Sequence, residues 1–466
     1  MRIKCDPQTA LRFGSAHLPL TIRYYERYEA INRILLEVPE ILAAFHEDAA
    51  KPLVEIQRQR RSSFTSEQML RAIVVMDIEQ LSYRDVTVRI DDSEFLRHFV
   101  RVHHGPVMDY TTLSKVYKVI RPETWKRIHK LLGSYALGEG HIQGDRLRVD
   151  TTAYETNVHY PSDSTLLCDG YRVLARSIRK LREEDAEVVG NGRLQTRRLK
   201  HLTLCITRHA GQKAWPEERL EGPYRRLFSA VHDILAWSQR ARAACELRLA
   251  GSAYDSERSA RVSMRLVRME HFEKLVARAL DQAQRRVLAG ESVPNTEKIL
   301  SLFEPHTELL IRGKADKPIE FGHMVLLQQV ERKFISDYEV FERRPSDKSL
   351  VDAILESHRR TFGRLPKALA ADKGFYESMD KLRELEKIIP SVSIAKKGAR
   401  SEEETRREHD PVFKMLQRFR AGIEGSISFL KRCFRLTRCL HRSFRTYCST
   451  VGSRVFAHNL VVLARL

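Results

Sequence analysis

The sequence predicts an α/β protein: a mixed sheet with helices on its faces, broken after its first strand by a large helical insertion and preceded by an N-terminal helical domain. Three observations carry this. RLRVDTTAYETN at 146–157 sets Leu147, Val149 and Thr151 on one face, which is strand periodicity. From about 170 to 305 the chain is rich in Arg and Leu at helical spacing, as in LVRMEHFEKLVARALDQAQRRVL. Beyond 320, strand and helix patterns alternate, so that without the inserted block the order is βββαβαβα.

Residues 1 to about 60 carry no clear period. Thr65 with Gln68 matches a capping box ahead of Met69, Leu70, Ile73 and Val74 at helical spacing. Ser82 followed by Asp85 opens a second helix; TTLSKVYKVI and ETWKRIHKLL read as two more. Residues 1–137 are therefore expected to be an N-terminal helical, DNA-binding domain, although plain helical packing has the same signature. Residues 138–466 are expected to be the catalytic domain, interrupted at about 170–305. FGHMVLLQQV, FISDYEVFE, KALAAD and IIPSVSIA read as strands. SLVDAILESHRRTF and ESMDKLRELEK read as helices, with Asp347 a cap for the first; ARSEEETRREHD reads as an exposed loop or solvated helix. From about 411 onward the pattern is helical.

Composition narrows the partner. Lys and Arg number 81 against 61 Asp and Glu, a net charge of +20, and the isoelectric point is about 9.7. A chain this basic attracts polyanions, and nucleic acid leads among them because phosphate neutralisation supplies most nonspecific binding. The first residues, MRIKCDPQTALRFGSAH, have no apolar core of a signal peptide, and no run approaches the roughly 18 apolar residues a membrane span needs. The seven cysteines include no CxxC, so reduced thiols and a cytoplasmic, nucleoid-associated protein are expected rather than zinc or disulfides.

Two aspartates close predicted strands: Asp150 ends RLRVD and Asp372 ends KALAAD. Glu424 lies on the predicted helix QRFRAGIEGSISFLKRCF, the single acid among nine Lys and Arg between Lys414 and Arg445. Arg420, Glu424 and Lys431 share one helical face, and Ile423, Ile427, Leu430 and Phe434 an adjacent apolar one. Strand-end carboxylates on neighbouring strands can converge, and a packed helix can add a third. Such a set suits Mg²⁺, and two ions about 3.5–4 Å apart can serve phosphodiester displacement. An Arg–Glu–Lys surface pair on an amphipathic helix has the same spacing.

VDTTAYETNVHYPSDSTLL around Asp150, KPIEFGHMVLL, ADKGFY around Asp372 and the R-(3)-E-(6)-K set of Arg420, Glu424 and Lys431 occur in that order. With them the chain resembles bacterial insertion-sequence transposases of the DDE class, most closely the ISNCY type, over roughly residues 60 to 460. The resemblance implies a ribonuclease-H-like core, with Asp150, Asp372 and Glu424 as catalytic ligands of two Mg²⁺ ions (Mn²⁺ substituting). Arg420 and Lys431 would contact DNA beside the glutamate, and a homodimer or larger assembly would hold the element ends and target DNA. Lys373, Arg435 and Arg438 are further expected DNA contacts. One departure is plain: the family pattern has Tyr three residues before the Arg, where this chain has Gln417. A metal-dependent nuclease that only hydrolyses, and a domesticated DNA-binding protein without catalysis, share most of these features.

Weaker candidates have bland counterparts. His159 and His323 could orient ligands, but structural histidines are commoner. Thr151 and Thr152 could support Asp150 or simply fill the strand. Trp215 and Trp237 could stack on an unpaired base or fill a helical core. Gly374 suits the turn after Asp372.

Overall fold

A computed structural model describes residues 18–60, 63–210, 217–311 and 317–466. The chain divides into two compact units, residues 1–156 with 322–466 and residues 157–321.

The first unit opens with seven helices: α1 (Pro19–Glu37), α2 (Pro39–Arg60), α3 (Ser66–Ile78), α4 (Tyr83–Asp91), α5 (Glu94–Phe99), α6 (Tyr110–Val119) and α7 (Pro122–Gly138). Both expected capping boxes form, Thr65 with Gln68 ahead of α3 and Ser82 with Asp85 ahead of α4. Each satisfies amide donors that a helix start otherwise leaves open, typically about 1 kcal/mol per cap. α3 is buried from Ser66 to Asp77, so its charged groups are internally matched: Arg71 donates to Glu67 at 2.9 Å and to the Phe99 carbonyl at 3.2 Å.

β1 (Arg146–Glu155) follows these helices. The second unit, residues 157–321, is helical: α8 (Asp163–Glu184), α9 (Ala186–Val189), α10 (Thr196–His209), α11 (Glu217–Ala250) and α12 (Ser256–Val287). It has its own core, including Leu174, Ile178, Leu227, Val231, Val262 and Val276. Buried Glu273 is matched by Ser238 at 2.6 Å and Arg242 at 2.8 Å. The unit ends with β2 (Glu308–Ile311), which hydrogen-bonds to β3 (Ile319–Gln329). β2 has no counterpart among the strands expected from the sequence.

The first unit resumes within β3 and continues through β4 (Ile335–Val340), α13 (Val351–Phe362), β5 (Ala368–Ala371), α14 (Met379–Ile388), β6 (Ser391–Ile394), α15 (Glu402–His409), α16 (Pro411–Cys433) and α17 (Phe444–Leu463). Its strands lie in the order β4–β3–β1–β5–β6. β3 is antiparallel to both β1 and β4, whereas β1, β5 and β6 are parallel. The sheet is therefore mixed, as expected. Two local expectations change. Asp347 does not cap α13; it begins a short 3-10 turn whose N-cap, Ser346, makes no side-chain cap bond. The charged run at 399–410 holds the helix α15, anchored by buried Glu404, which accepts from Tyr376 at 2.5 Å and Lys396 at 2.8 Å.

The two sheet faces differ. Leu147, Val149, Leu369, Ala371, Val392 and Ile394 belong to a large core shared with α1–α7 and α17. α17 is the spine of that core, buried from Thr446 to Leu463 apart from half-buried Cys448. Its Asn459 pairs with both backbone groups of Ile335, and its Ser453 with Tyr117. The opposite face carries Ala368 and Ala370, which cluster with Leu416 of α16.

Candidate active site

Register decides where the aspartates stand. β1 and β5 pair in parallel from Arg146↔Ala368 to Val149↔Ala371. Asp150 and Asp372 are each the next residue, so they occupy the same level, but only Asp372 follows a strand end; β1 runs on past Asp150 to Glu155 because it pairs there with β3. Because side chains alternate, both project to the face opposite Val149 and Ala371. Neighbouring parallel strands lie about 4.8 Å apart, close enough for the two carboxylates to share a cation. Asp150 is half-buried and accepts from the Thr151 amide at 2.7 Å. Asp372 is half exposed at its side chain and precedes a 3-10 turn formed by Lys373–Phe375.

α16 crosses this same face, and named contacts fix its seat. At β6, Gln417 donates to the Ser393 carbonyl and hydroxyl, both at 3.0 Å. At β5, Leu416 packs on Ala368 and Ala370. At β1, Arg148 donates to the Phe419 carbonyl at 2.6 Å and lies 4.7 Å from the centre of its ring. At β3, Ser426 bonds Gln329 at 3.2 Å, and Gln329 also accepts from Arg148 at 2.7 Å. Gly422 faces the Arg148 guanidinium so closely that a Cβ would collide with it. That explains a glycine inside a helix, where it costs roughly 1 kcal/mol relative to Ala. Burial pulls the Arg148 guanidinium down from its ordinary pKa.

This seating carries Glu424 onto the exposed flank of α16, with Ile423 and Leu430 buried beneath. Arg420, one turn earlier, donates to Glu424 at 3.1 Å and lies 3.8 Å from Asp372. Arg420 thus bridges the helix acid to a strand-end acid. Its Nε is buried without a hydrogen-bond partner among the described residues. Those residues include no group of three or more His, Cys, Asp or Glu drawn together to hold a metal ion. The Arg420 guanidinium lies within ion-pair distance of both Asp372 and Glu424. The donor set still suits a hard cation, since all three groups offer carboxylate oxygens and two stand in register.

The expected DNA contacts are dispersed around this centre. Lys373 is exposed directly after Asp372. Lys431 lies in the last turn of α16, about 10 Å along the axis from Glu424 at 1.5 Å per residue. Arg435 and Arg438 follow in the segment linking α16 to α17. Arg435 has φ +52° and is exposed, while Arg438 pairs with Glu155 of β1 at 3.2 Å. Gln417, where the family pattern has Tyr, ties α16 to β6. Arg148 was missed in the sequence; it alternates with Arg146 and Asp150 on one face of β1, and nothing in that pattern sets it apart.

The weaker candidates resolve by surroundings. His323 is fully buried against Phe444 and Tyr447. His159 is exposed, 3.9 Å from Asp169. Thr151 and Thr152 are buried. The Trp237 indole donates to the Val189 carbonyl at 2.8 Å and lies under Arg182; Trp215 is outside the described residues. Gly374 abuts Asp347, whose Oδ2 would lie 2.8 Å from an added Cβ. No helix among the described residues is long and apolar enough to cross a membrane.

No curated protein and no solved structure matches the chain. Residues 320–460 match the family model of the transposase DDE domain, a stretch that includes Asp372, Arg420 and Glu424 and begins after Asp150. That match supports a DDE-class transposase.

Proposed function

We propose that the protein is a DNA transposase of the insertion-sequence type, closest in kind to the ISNCY group, which cleaves element ends and transfers the strands into target DNA. In this reading the sheet is a ribonuclease-H-like core, residues 1–137 bind DNA, and the helical insertion at about 170–305 interrupts the catalytic domain. The observation that carries it is the shared level of Asp150 and Asp372 on adjacent parallel strands, with α16 presenting Glu424 over the same face.

Asp150, Asp372 and Glu424 would hold the divalent ions, Mg²⁺ or Mn²⁺, and those ions would polarise the scissile phosphate and lower the pKa of the attacking oxygen. Arg420 would leave Glu424 as a DNA phosphate offers it a stronger, bidentate acceptor. Lys373, Lys431, Arg435 and Arg438 would neutralise the backbone on either side. Joining two ends calls for a homodimer or a larger assembly on DNA.

The test is metal-dependent cleavage of DNA bearing the element's own ends, for wild type beside Asp150→Ala, Asp372→Ala and Glu424→Ala. Cleavage and joined products in wild type, lost at least a thousandfold in each variant with DNA binding kept, support the proposal. Cleavage without joined product identifies a hydrolytic nuclease. Binding without cleavage in any protein identifies a non-catalytic DNA-binding protein.

A further inference from the structure

The helical unit carries a cavity of about 580 Å³ between α8, α10 and α11. That volume lies within the roughly 300–1,000 Å³ of ordinary ligand sites. Its floor is apolar, with Leu199 and Ile234 buried. Its rim carries Arg193, Arg198 and Arg226, with His201 beside them and Asp233 the one acid in the lining.

Several arginines elsewhere in this unit are matched with acids: Arg242 with Glu273, Arg248 with Glu187, Arg265 with Glu184, Arg286 with Asp163. Among the described residues, the three rim arginines have no ion pair; Arg198 has one long bond, to Gln195 at 3.4 Å. Three guanidiniums without an ion pair among the described residues thus line one concave space, and an anion there would neutralise them. A built polar group lies within the same wall. Tyr171 is 4% exposed, and its hydroxyl accepts from the Gln195 amide at 2.8 Å, which leaves its proton to donate elsewhere.

We propose that this cavity is a phosphate site, and that its occupant is the sugar–phosphate backbone of a nucleic-acid strand. The inference rests on the transposase reading for its occupant and adds a contact remote in sequence from the carboxylates. The cavity is too small for a duplex about 20 Å wide, so it takes one or two nucleotides of a strand. Arg193, Arg198 and Arg226 pair with phosphate oxygens, and Tyr171 donates a hydrogen bond.

The test uses the full-length protein and two readouts. Hydrogen exchange on wild type, with and without single-stranded oligonucleotide, is expected to show protection at 193–202 and 226–237. Binding of the same oligonucleotide across a salt series compares wild type with the triple variant Arg193→Gln, Arg198→Gln, Arg226→Gln. The variant is expected to lose roughly tenfold to a hundredfold in affinity, with a salt slope smaller by about 2. Replacement of all three by Lys should restore most of the slope. An unchanged slope together with unchanged exchange, in protein that still binds and cleaves element-end duplex, overturns the cavity proposal and leaves the transposase reading standing. Protection by inorganic phosphate but not by oligonucleotide overturns the strand as occupant in favour of a free anion. A wild type that binds no DNA in any form overturns both readings.

Discussion

The arginines of the sheet face and those of the cavity rim are placed in opposite ways. On the sheet face, Arg148 and Arg420 are consumed by the protein itself: one by Gln329, the Phe419 carbonyl and a ring, the other by Glu424 and Asp372. Around the cavity of the helical unit, Arg193 and Arg226 have neither acid nor carbonyl among the described residues. The difference teaches how to read a basic protein. A net charge of +20 names a class of partner, but the internal partners of each cation show which groups already hold the fold together.

The largest effect that sharpens this contrast concerns pH. The first unit buries His129, His358 and His458, and desolvation holds each at about 4. An unfolded chain protonates histidine near 6.5, so these residues contribute full stability above that pH and lose it as pH falls toward 4. The expected loss between pH 7 and pH 5 is on the order of several kcal/mol, read as a falling urea midpoint. A flat midpoint over that range would show that the three are accessible or charged in the fold.

A smaller effect separates matched from unmatched arginine within the helical unit. Arg242→Ala strands Glu273, which is 3% exposed, and should cost about 3 kcal/mol or more. Arg226→Ala removes nothing the fold uses and should stay within about 0.5 kcal/mol. Equal costs in chemical denaturation would break the distinction on which the cavity rests.

The smallest effect tests the seat of α16. Gly425 has open space around it, so Gly425→Ala should stabilise by about 0.5–1 kcal/mol. Gly422→Ala instead meets the Arg148 guanidinium and should destabilise by about 1–3 kcal/mol. If both substitutions stabilise, Arg148 does not lock the helix to the sheet.

Much of the architecture was legible because it is written in local periods. RLRVD, FGHMVLLQQV, FISDYEVFE, KALAAD and PSVSIA marked five of the six strands, and the pairs at Thr65 and Ser82 marked two helix starts. What escaped has a physical reason in each case. α1 and α2 cover 19–60, where Pro39 and Pro52 interrupt the pattern, and Pro52 sits inside α2. Asp347 reads as a helix cap by residue type, but the chain spends it in a 3-10 turn against Gly374. Arg148 reads as a surface charge, because nothing within β1 shows that α16 will cover it.

The sequence by itself determined the mixed α/β class, the polyanion-seeking charge and three candidate acids, although Asp150, read as a strand end, stands mid-strand in β1. These follow from side-chain chemistry and from periods of two and 3.6 residues, which need only neighbours along the chain. Tertiary structure alone decided that Asp150 and Asp372 share one level, that Arg420 spans Asp372 and Glu424, and that three arginines of the helical unit stay unmatched. The first two are relations between segments far apart in the chain, set by strand register and helix packing, and no local pattern encodes them.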